Sequence, residues 1–280
     1  MHPVLFDIGP ITIYSYGFFL ALAYLFATYV LWREGKKQGY QEEKLLDFSI
    51  ISLVTALVGG RVFYVLINLK QFAGDFRSAF YIWEGGFAYY GSLIFVFLVS
   101  IYFIRKWRWS FLQLVDIGSL SVLVAIIFAK LGSFLSGNDY GTLTSLPWGV
   151  TFSYLEGKRH PVQLYEAAFA VVLLISLYTY YKKNIKSVNF RSGAVFFYSL
   201  LFNSLGRFIF EFFRGDSSYL GPVKLANVIS LILAAVALFS LYFYQFRNFS
   251  EDKSKFTKYF FGFGRFKKPF RKGINEPRAF

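Results

Sequence analysis

The sequence predicts an all-α membrane protein with seven transmembrane helices, the N-terminus outside and the C-terminus cytoplasmic. Three observations predict it. Of the 280 residues 56% are hydrophobic, 22% aromatic and only 16% charged, which is more apolar surface than a soluble core of this size can hide. The apolar residues gather into seven runs of about 20, the length that crosses a bilayer core as a helix. Lys and Arg are shared unequally between alternate loops, as in a polytopic protein of fixed orientation.

The runs lie near 12–32, 48–69, 87–104, 112–134, 162–181, 194–213 and 225–246. The third is short for a full span, which a small tilt or a locally thinner bilayer accommodates. Continuous apolar runs exclude a transmembrane barrel, whose strands alternate at every second residue. No cleavable signal is expected, because the N-terminus lacks a basic region and places Asp7 ahead of the first apolar run. Loops 33–47, 105–111 and 182–193 with the tail 247–280 hold 21 of the 30 Lys and Arg, against six in the N-terminus and loops 70–86, 135–161 and 214–224. Basic loops stay on the cytoplasmic side, which sets the orientation.

The net charge of +14 is therefore mostly a topology signal. No nucleic-acid partner is expected. The tail 247–280 interleaves Phe with Lys and Arg, a pattern that suits the anionic inner leaflet, and a disordered basic tail fits the same composition. We read one membrane domain, 1–246, followed by this tail. The chain has no cysteine and only two histidines, His2 and His160, which excludes disulfides, a thiol nucleophile and a His-rich metal centre. No cofactor is expected.

The other three cations, Arg61, Lys130 and Arg207, lie within spans. A charge in hydrocarbon costs at least about 2.5 kcal/mol by insertion scales, so each asks for a partner, a hydrated cavity or a charged ligand. Arg207, Glu211 and Arg214 are spaced by 4 and 3, which places them on one helix face. A self-neutralising Arg–Glu pair at a helix end is the plainer reading. With the other two buried cations, the face reads as a site for a lipid phosphate at the outer half of the bilayer, since Arg offers a planar fork to a phosphate and Lys a point charge.

Motif-dense segments flank the spans on the same outer side. Gly59-Gly60-Arg61, with Tyr64 beyond, lets another helix approach closely. Trp83 to Gly91 (WEGGFAYYG) opens the third helix, Gly137 to Gly141 (GNDYG) reads as a turn, and His160 to Glu166 (HPVQLYE) opens the fifth with Pro in a first helical turn. Singly, each is more often an interface anchor. Their shared side argues for a site.

At these residues the chain resembles a family. The segment before Gly17 (HPVLFDIGPITIYSYG), Gly59 to Tyr64 (GGRVFY), Glu84 to Leu93 (EGGFAYYGSL), His160 to Ala167 (HPVQLYEA) and Gly206 to Arg214 (GRFIFEFFR) match, in order and spacing, the phosphatidylglycerol–prolipoprotein diacylglyceryl transferases. The resemblance covers nearly all of residues 1–245. It implies a multi-pass enzyme of the bacterial inner membrane that takes the diacylglyceryl group of phosphatidylglycerol, attaches it as a thioether to the lipobox cysteine of a preprolipoprotein and releases glycerol-1-phosphate. The acceptor supplies the thiol, in keeping with a chain that has no cysteine.

The resemblance also implies the site. Arg207 matches an arginine assigned to phosphate binding and activity, Glu211 the carboxylate one turn on, Tyr16 the Tyr-Gly of the first helix, and Arg61 the arginine of the second. With Lys130 and Tyr90 these give a candidate catalytic set of Arg207, Tyr90, Glu211 and Lys130. The candidate substrate-binding set is Tyr16, Arg61, Tyr64, Gly86, Ser133, Gly141, His160, Gln163, Tyr165, Glu166 and Arg214. No metal is expected.

The fourth helix departs from the family pattern. Where the family reads Gly-Arg-x-Gly-Asn and continues to an acidic residue, this chain has Ala129-Lys130-Leu131-Gly132-Ser133, with Asn138 at the acidic position and Asp139 one residue later. Lysine keeps the charge but loses the two-pronged fork. Tyr90 stands where some members carry a histidine, and Leu225-Ala226-Asn227 replaces the usual Gly-Gln before the last helix. A divergent member with another lipid or acceptor, or without activity, is the alternative these changes raise. An anion or lipid transporter is a third reading, and charges gathered on one side of the membrane without an internal repeat count against it.

Overall fold

The computed structural model describes residues 2–9, 11–72, 74–81, 83, 85–187 and 190–243, and the tail 247–280 lies outside them. The seven expected spans are present as seven long helices: α1 (Ser15–Lys37), α2 (Glu42–Ile67), α4 (Tyr89–Lys106), α5 (Phe111–Ser136), α6 (Val162–Asn184), α7 (Ala194–Phe210) and α8 (Leu225–Leu241), with a one-turn α3 (Leu69–Phe72) after α2. Six are long and apolar enough to cross a membrane, counting the turn that extends α7 to Phe213, and α8 is a shorter apolar helix. At 1.5 Å per residue its 17 residues reach about 25 Å, the lower edge of a span.

The first expected run starts too early. Val4–Ile8 and Ile11–Tyr14 form an antiparallel hairpin, β1 and β2, and α1 begins only at Ser15, whose amide takes the carbonyl of Pro3. The alternation of FDIGPITI around a Gly-Pro turn is a strand signal inside an apolar run, and it wins locally. Two further pairs, β3 (Val150–Thr151) with β4 (Lys158–Arg159) and β5 (Tyr219–Leu220) with β6 (Val223–Lys224), shape the loops before α6 and α8.

Packing follows from small residues and one central helix. The most extensive contacts pair α1 with α5, α2 with α4, α7 with α8 and α5 with α6. Between α2 and α4 the glycines do what their spacing suggests: a Cβ on Gly91 would sit 2.5 Å from the Gly59 carbonyl oxygen and 2.2 Å from the Cβ of Phe63. The core runs along α5, with Leu114, Ile117, Leu120 and Leu123 packed against Leu173, Leu177 and Tyr181 of α6 and Val195 of α7. The outer faces keep large apolar side chains exposed, among them Ile50, Phe97, Val122, Ile175 and Phe239. Such a belt belongs against lipid.

One buried charge serves the frame. Asp116 of α5 accepts hydrogen bonds from the amides of Gly193 (2.6 Å) and Phe196 (2.8 Å). It caps the first turn of α7 from a neighbouring helix, where an anion meets the positive end of the helix dipole.

Candidate active site

Consecutive long helices run antiparallel, so the C-terminal ends of α5 and α7 and the N-terminal ends of α6 and α8 meet at one end of the bundle. The segment after α5 is tied to the segment after α7: Thr142 N donates to Phe213 O, Gly215 N donates to Tyr140 O, and Gly141 bridges Arg214. This pairing ends the last helical turn. The expected single face of Arg207, Glu211 and Arg214 therefore holds only for its first two members, because the α-helix stops at Phe210, Glu211–Phe213 is a 3-10 turn and Arg214 is extended. Arg214 reaches the same cluster by another path.

Charges from four segments converge there. Glu166 of α6, 8% exposed, lies 2.5 Å from Lys130 Nζ, accepts from Arg207 Nη1 at 3.1 Å and stands 3.7 Å from Arg214 Nη1. Glu211, 1% exposed, faces Arg207 Nη2 at 3.0 Å. The Lys130–Glu166 and Arg207–Glu211 contacts are proximities of charge rather than aligned hydrogen bonds, and the Oε2 atoms of both carboxylates lack a hydrogen-bond donor. Arg214 is held on both sides, by Asp216 through two parallel bonds (2.9 and 2.5 Å) and by Asp139 at 3.0 Å. Lys224, at the start of α8, donates to the carbonyls of Glu211 and Arg214.

Asp139 is the hinge of this network. It sits at φ +58°, a left-handed conformation that Asp tolerates better than most side chains. Its Oδ2 accepts from Lys130 (3.3 Å) and from Ser133 Oγ (3.1 Å), while Gln163 Nε2, fully buried, donates to the carbonyls of Asn138 (2.8 Å) and Asp139 (2.6 Å). Burial pushes the Asp139 carboxyl up, but the charges of Lys130 and Arg214 outweigh it and hold the group at about 2. It is an anion at any working pH.

Of Lys130, Arg207 and Arg214, Arg207 is the most open. Its side chain is 37% exposed, against 23% for Lys130 and 8% for Arg214. A cavity of about 290 Å3 opens beside it, lined by Tyr90, Arg207, Glu211, Arg214, Asp216 and Ser217 and closed by Leu225, Ala226 and Ile229 of α8. Ser217 Oγ is buried without a hydrogen-bond partner. The cavity thus combines a guanidinium fork, hydroxyls and an apolar wall, a set suited to an anionic headgroup on an acyl chain.

The structure brings together Lys130, Ser133, Gln163, Glu166, Arg207, Glu211 and Arg214, with Tyr90 on the same cavity. Gly141, His160 and Tyr165 form a layer beside them. A Cβ on Gly141 would overlap the His160 carbonyl at 2.3 Å, His160 Nδ1 and the Tyr165 hydroxyl are 3.3 Å apart, and both rings pack on Phe213. Tyr16 stands at the α1–α5 contact, its Cα beside Gly132.

Arg61, Tyr64 and Gly86 form a cluster of their own. Buried Arg61 donates to the carbonyls of Ala79, Gly85, Gly86 and Ser78, and lies over the rings of Tyr64 and Phe72. Gly86 has φ +75°, and a Cβ there would sit 2.9 Å from Arg61 Nη1 and 2.6 Å from the Tyr64 ring. The guanidinium is occupied by the carbonyls of Ser78, Ala79, Gly85 and Gly86, which it ties to α2. The sequence reading missed Asp216, Ser217 and Lys224. Only Asp216 carried a signal, an acid two residues after a buried arginine.

Comparison with known proteins gives the family. Residues 3–243 match the family model described as prolipoprotein diacylglyceryl transferase. The chain is 31% identical over 255 residues, 89% of its length, to the whole of the phosphatidylglycerol–prolipoprotein diacylglyceryl transferase of Clostridium tetani. It is 32% identical to the enzyme of that name in Clostridioides difficile (83% of this chain, 91% of the relative) and 31% identical to that of a Nostoc species (85% and 88%). The chain belongs to the prolipoprotein diacylglyceryl transferase family.

Proposed function

We propose that the protein transfers the diacylglyceryl group of phosphatidylglycerol to the lipobox cysteine of preprolipoproteins, at the outer face of the bacterial cytoplasmic membrane. The observation that carries this reading is Arg207, an accessible guanidinium on a cavity with an apolar wall, backed by Lys130 and Arg214. Family membership supports the reaction class and both substrates. The positive-inside distribution of Lys and Arg supports the outward-facing site.

In the transfer the acceptor sulfur attacks the glyceryl carbon that bears the phosphate. The carbon–sulfur bond forms as the carbon–oxygen bond breaks, and the electron pair leaves on the phosphate as glycerol-1-phosphate. The thiol proton balances the charge of that released monoester. A phosphate monoester is a poor leaving group, so the step needs cations on the phosphate oxygens as charge develops. Arg207 is assigned to that contact, with Glu166 and Glu211 orienting its fork. Lys130 and Arg214 offset the charge of Glu166 and Asp139 beside it and so limit the repulsion of the phosphate by those carboxylates. Tyr90, across the cavity, is assigned to hydrogen bonding of the sulfur or headgroup.

The test is transfer itself. The purified protein, given phosphatidylglycerol and a lipobox peptide, should form a thioether-linked diacylglyceryl peptide and release glycerol-1-phosphate in equal amounts. It should also restore lipoprotein modification to cells depleted of their own enzyme. A well-folded protein that does neither would leave a divergent member with another lipid or acceptor, the reading that Lys130, Ser133 and Asn138 raise.

A further inference from the structure

At the other end of the bundle, between the C-terminal ends of α1 and α6, lies a larger cavity of about 490 Å3 lined by Lys37, Lys182, Lys186, Glu34 and Tyr181, among others. Lys182 is 16 residues beyond Glu166 on α6, about 24 Å by the helical rise, so this recess is separate from the network around Arg207. The Glu34 carboxylate, the one acid in it, is already engaged. It is buried, takes Lys37 Nζ at 2.6 Å and accepts from the Tyr178 hydroxyl at 2.9 Å.

Lys182 stands in the last turn of α6 and Lys186 two residues past its end at Asn184, both on the recess, and among the described residues neither meets a carboxylate within ion-pair distance. Like charges that line one recess repel unless an anion lies between them. Lys182 is drawn over the Tyr178 ring, 4.6 Å from its centre. The Tyr181 side chain, 1% exposed, lines the recess, and its hydroxyl makes no aligned hydrogen bond, with the Gln38 side chain its polar neighbour on the same recess. Lysines at helix C-termini serve the helix dipole and topology. That role accounts for neither the recess nor the buried hydroxyl.

What fills such a site follows from its two halves. Ile175, 61% exposed, is seven residues before Lys182 and so lies below it on the same face of α6. A cationic mouth above an exposed apolar strip matches a phosphate headgroup above its acyl chains, and basic pockets between helices at the cytoplasmic side are suited to such headgroups. We propose that this recess is a second lipid site, which holds the phosphate of an anionic phospholipid of the inner leaflet between Lys182, Lys186 and Lys37.

The probe is phosphatidylglycerol, titrated onto the detergent-purified full-length protein and counted by native mass spectrometry, with phosphatidylcholine and inorganic phosphate as the other arms. The parent should hold anionic lipid in two classes of site. Lys182→Gln with Lys186→Gln should weaken one class about 30-fold, each lysine near the surface giving a factor of about five. The double arginine replacement should retain it. Tyr181→Phe, which keeps the core volume, should weaken the same class severalfold. Arg207→Lys should alter only the other class, so failure here and failure of the transferase reading are separately visible. Unchanged lipid binding in the double glutamine variant, or equal occupancy by phosphatidylcholine, would overturn the site. Competition by inorganic phosphate at equal concentration would make it a soluble-anion site and overturn the lipid.

Discussion

Replacing Arg207 with lysine isolates the guanidinium fork, because the charge stays and only its geometry changes. In the structure the two terminal nitrogens of Arg207 reach different carboxylates, Glu166 at 3.1 Å and Glu211 at 3.0 Å. A single ammonium on a more flexible stem holds one of these and leaves the other carboxylate to its remaining neighbours. The ground-state cost is modest. Arg207 is more than one-third exposed, so solvent screening keeps the lost contact near about 1 kcal/mol. The transition-state cost is larger, since removing a positioned donor from a developing oxyanion costs about 3 kcal/mol. Arg207→Lys should therefore keep its fold and thermal midpoint within a few degrees, while phosphatidylglycerol-dependent thioether formation falls on the order of 100-fold in kcat/KM. A variant within twofold of the parent would refute a two-pronged contact between Arg207 and the phosphate.

Three other outcomes follow from separate parts of the molecule. Asp116→Ala removes the cap from two amides of the α7 first turn and should lower stability by about 1–2 kcal/mol, seen as a fall of a few degrees in the thermal midpoint; an unchanged midpoint would show the cap to be idle. Asp139 has a folded pKa below its unfolded value, so its contribution is full above about pH 4 and is lost as pH falls toward about 2. Thermal scans across that window should show a steeper acid loss in the parent than in Asp139→Asn, and parallel curves would reject the pairing. A reporter active only in the cytoplasm should work when fused after Lys183 or Phe246 and fail at Asn138, and the reverse pattern would turn the protein over.

The spans and one side of the glycine seam were legible because each depends on a property local in sequence. Twenty apolar residues specify a helix in lipid whatever surrounds them, and Gly59-Gly60 specify close approach, while their partner Gly91 came only with the structure. The hairpin at residues 4–14 was hidden because the first apolar run began inside it. In the site, Arg207 and Glu211 were legible as neighbours one turn apart. Arg214 was assigned to the right cluster for the wrong reason, since its position depends on backbone pairing between residues 140–142 and 213–215, a contact between segments some 70 residues apart. Arg61 was assigned to substrate binding from its charge within a span and its match to the second-helix arginine of the family pattern. The carbonyls of Ser78, Ala79, Gly85 and Gly86 that occupy it come from outside α2, where no local pattern placed them.

Lys130 is where the departure from the family pattern can be weighed physically. If the lysine were a weakened arginine in an otherwise unchanged site, its head would have an unmet partner and a wider fork would fit. The structure places that head between two carboxylates, although Glu166 Oε2 receives no aligned hydrogen bond. Lys130 Nζ is 2.5 Å from Glu166 and 3.3 Å from Asp139, and Ser133 fills the remaining acceptor direction of the same Asp139 oxygen. Asp139 has a backbone conformation that turns its carboxylate into that contact. The lysine is thus matched to Ser133 and Asp139, and a guanidinium would have to push one carboxylate back. Overpacking of this kind costs about 1–3 kcal/mol, reduced at a side chain 23% exposed. Lys130→Arg alone should then lower thioether formation about five- to tenfold, though it restores the residue of the family pattern. A rise in activity in the single variant would show that Lys130 is a defect rather than a fitted part of the site.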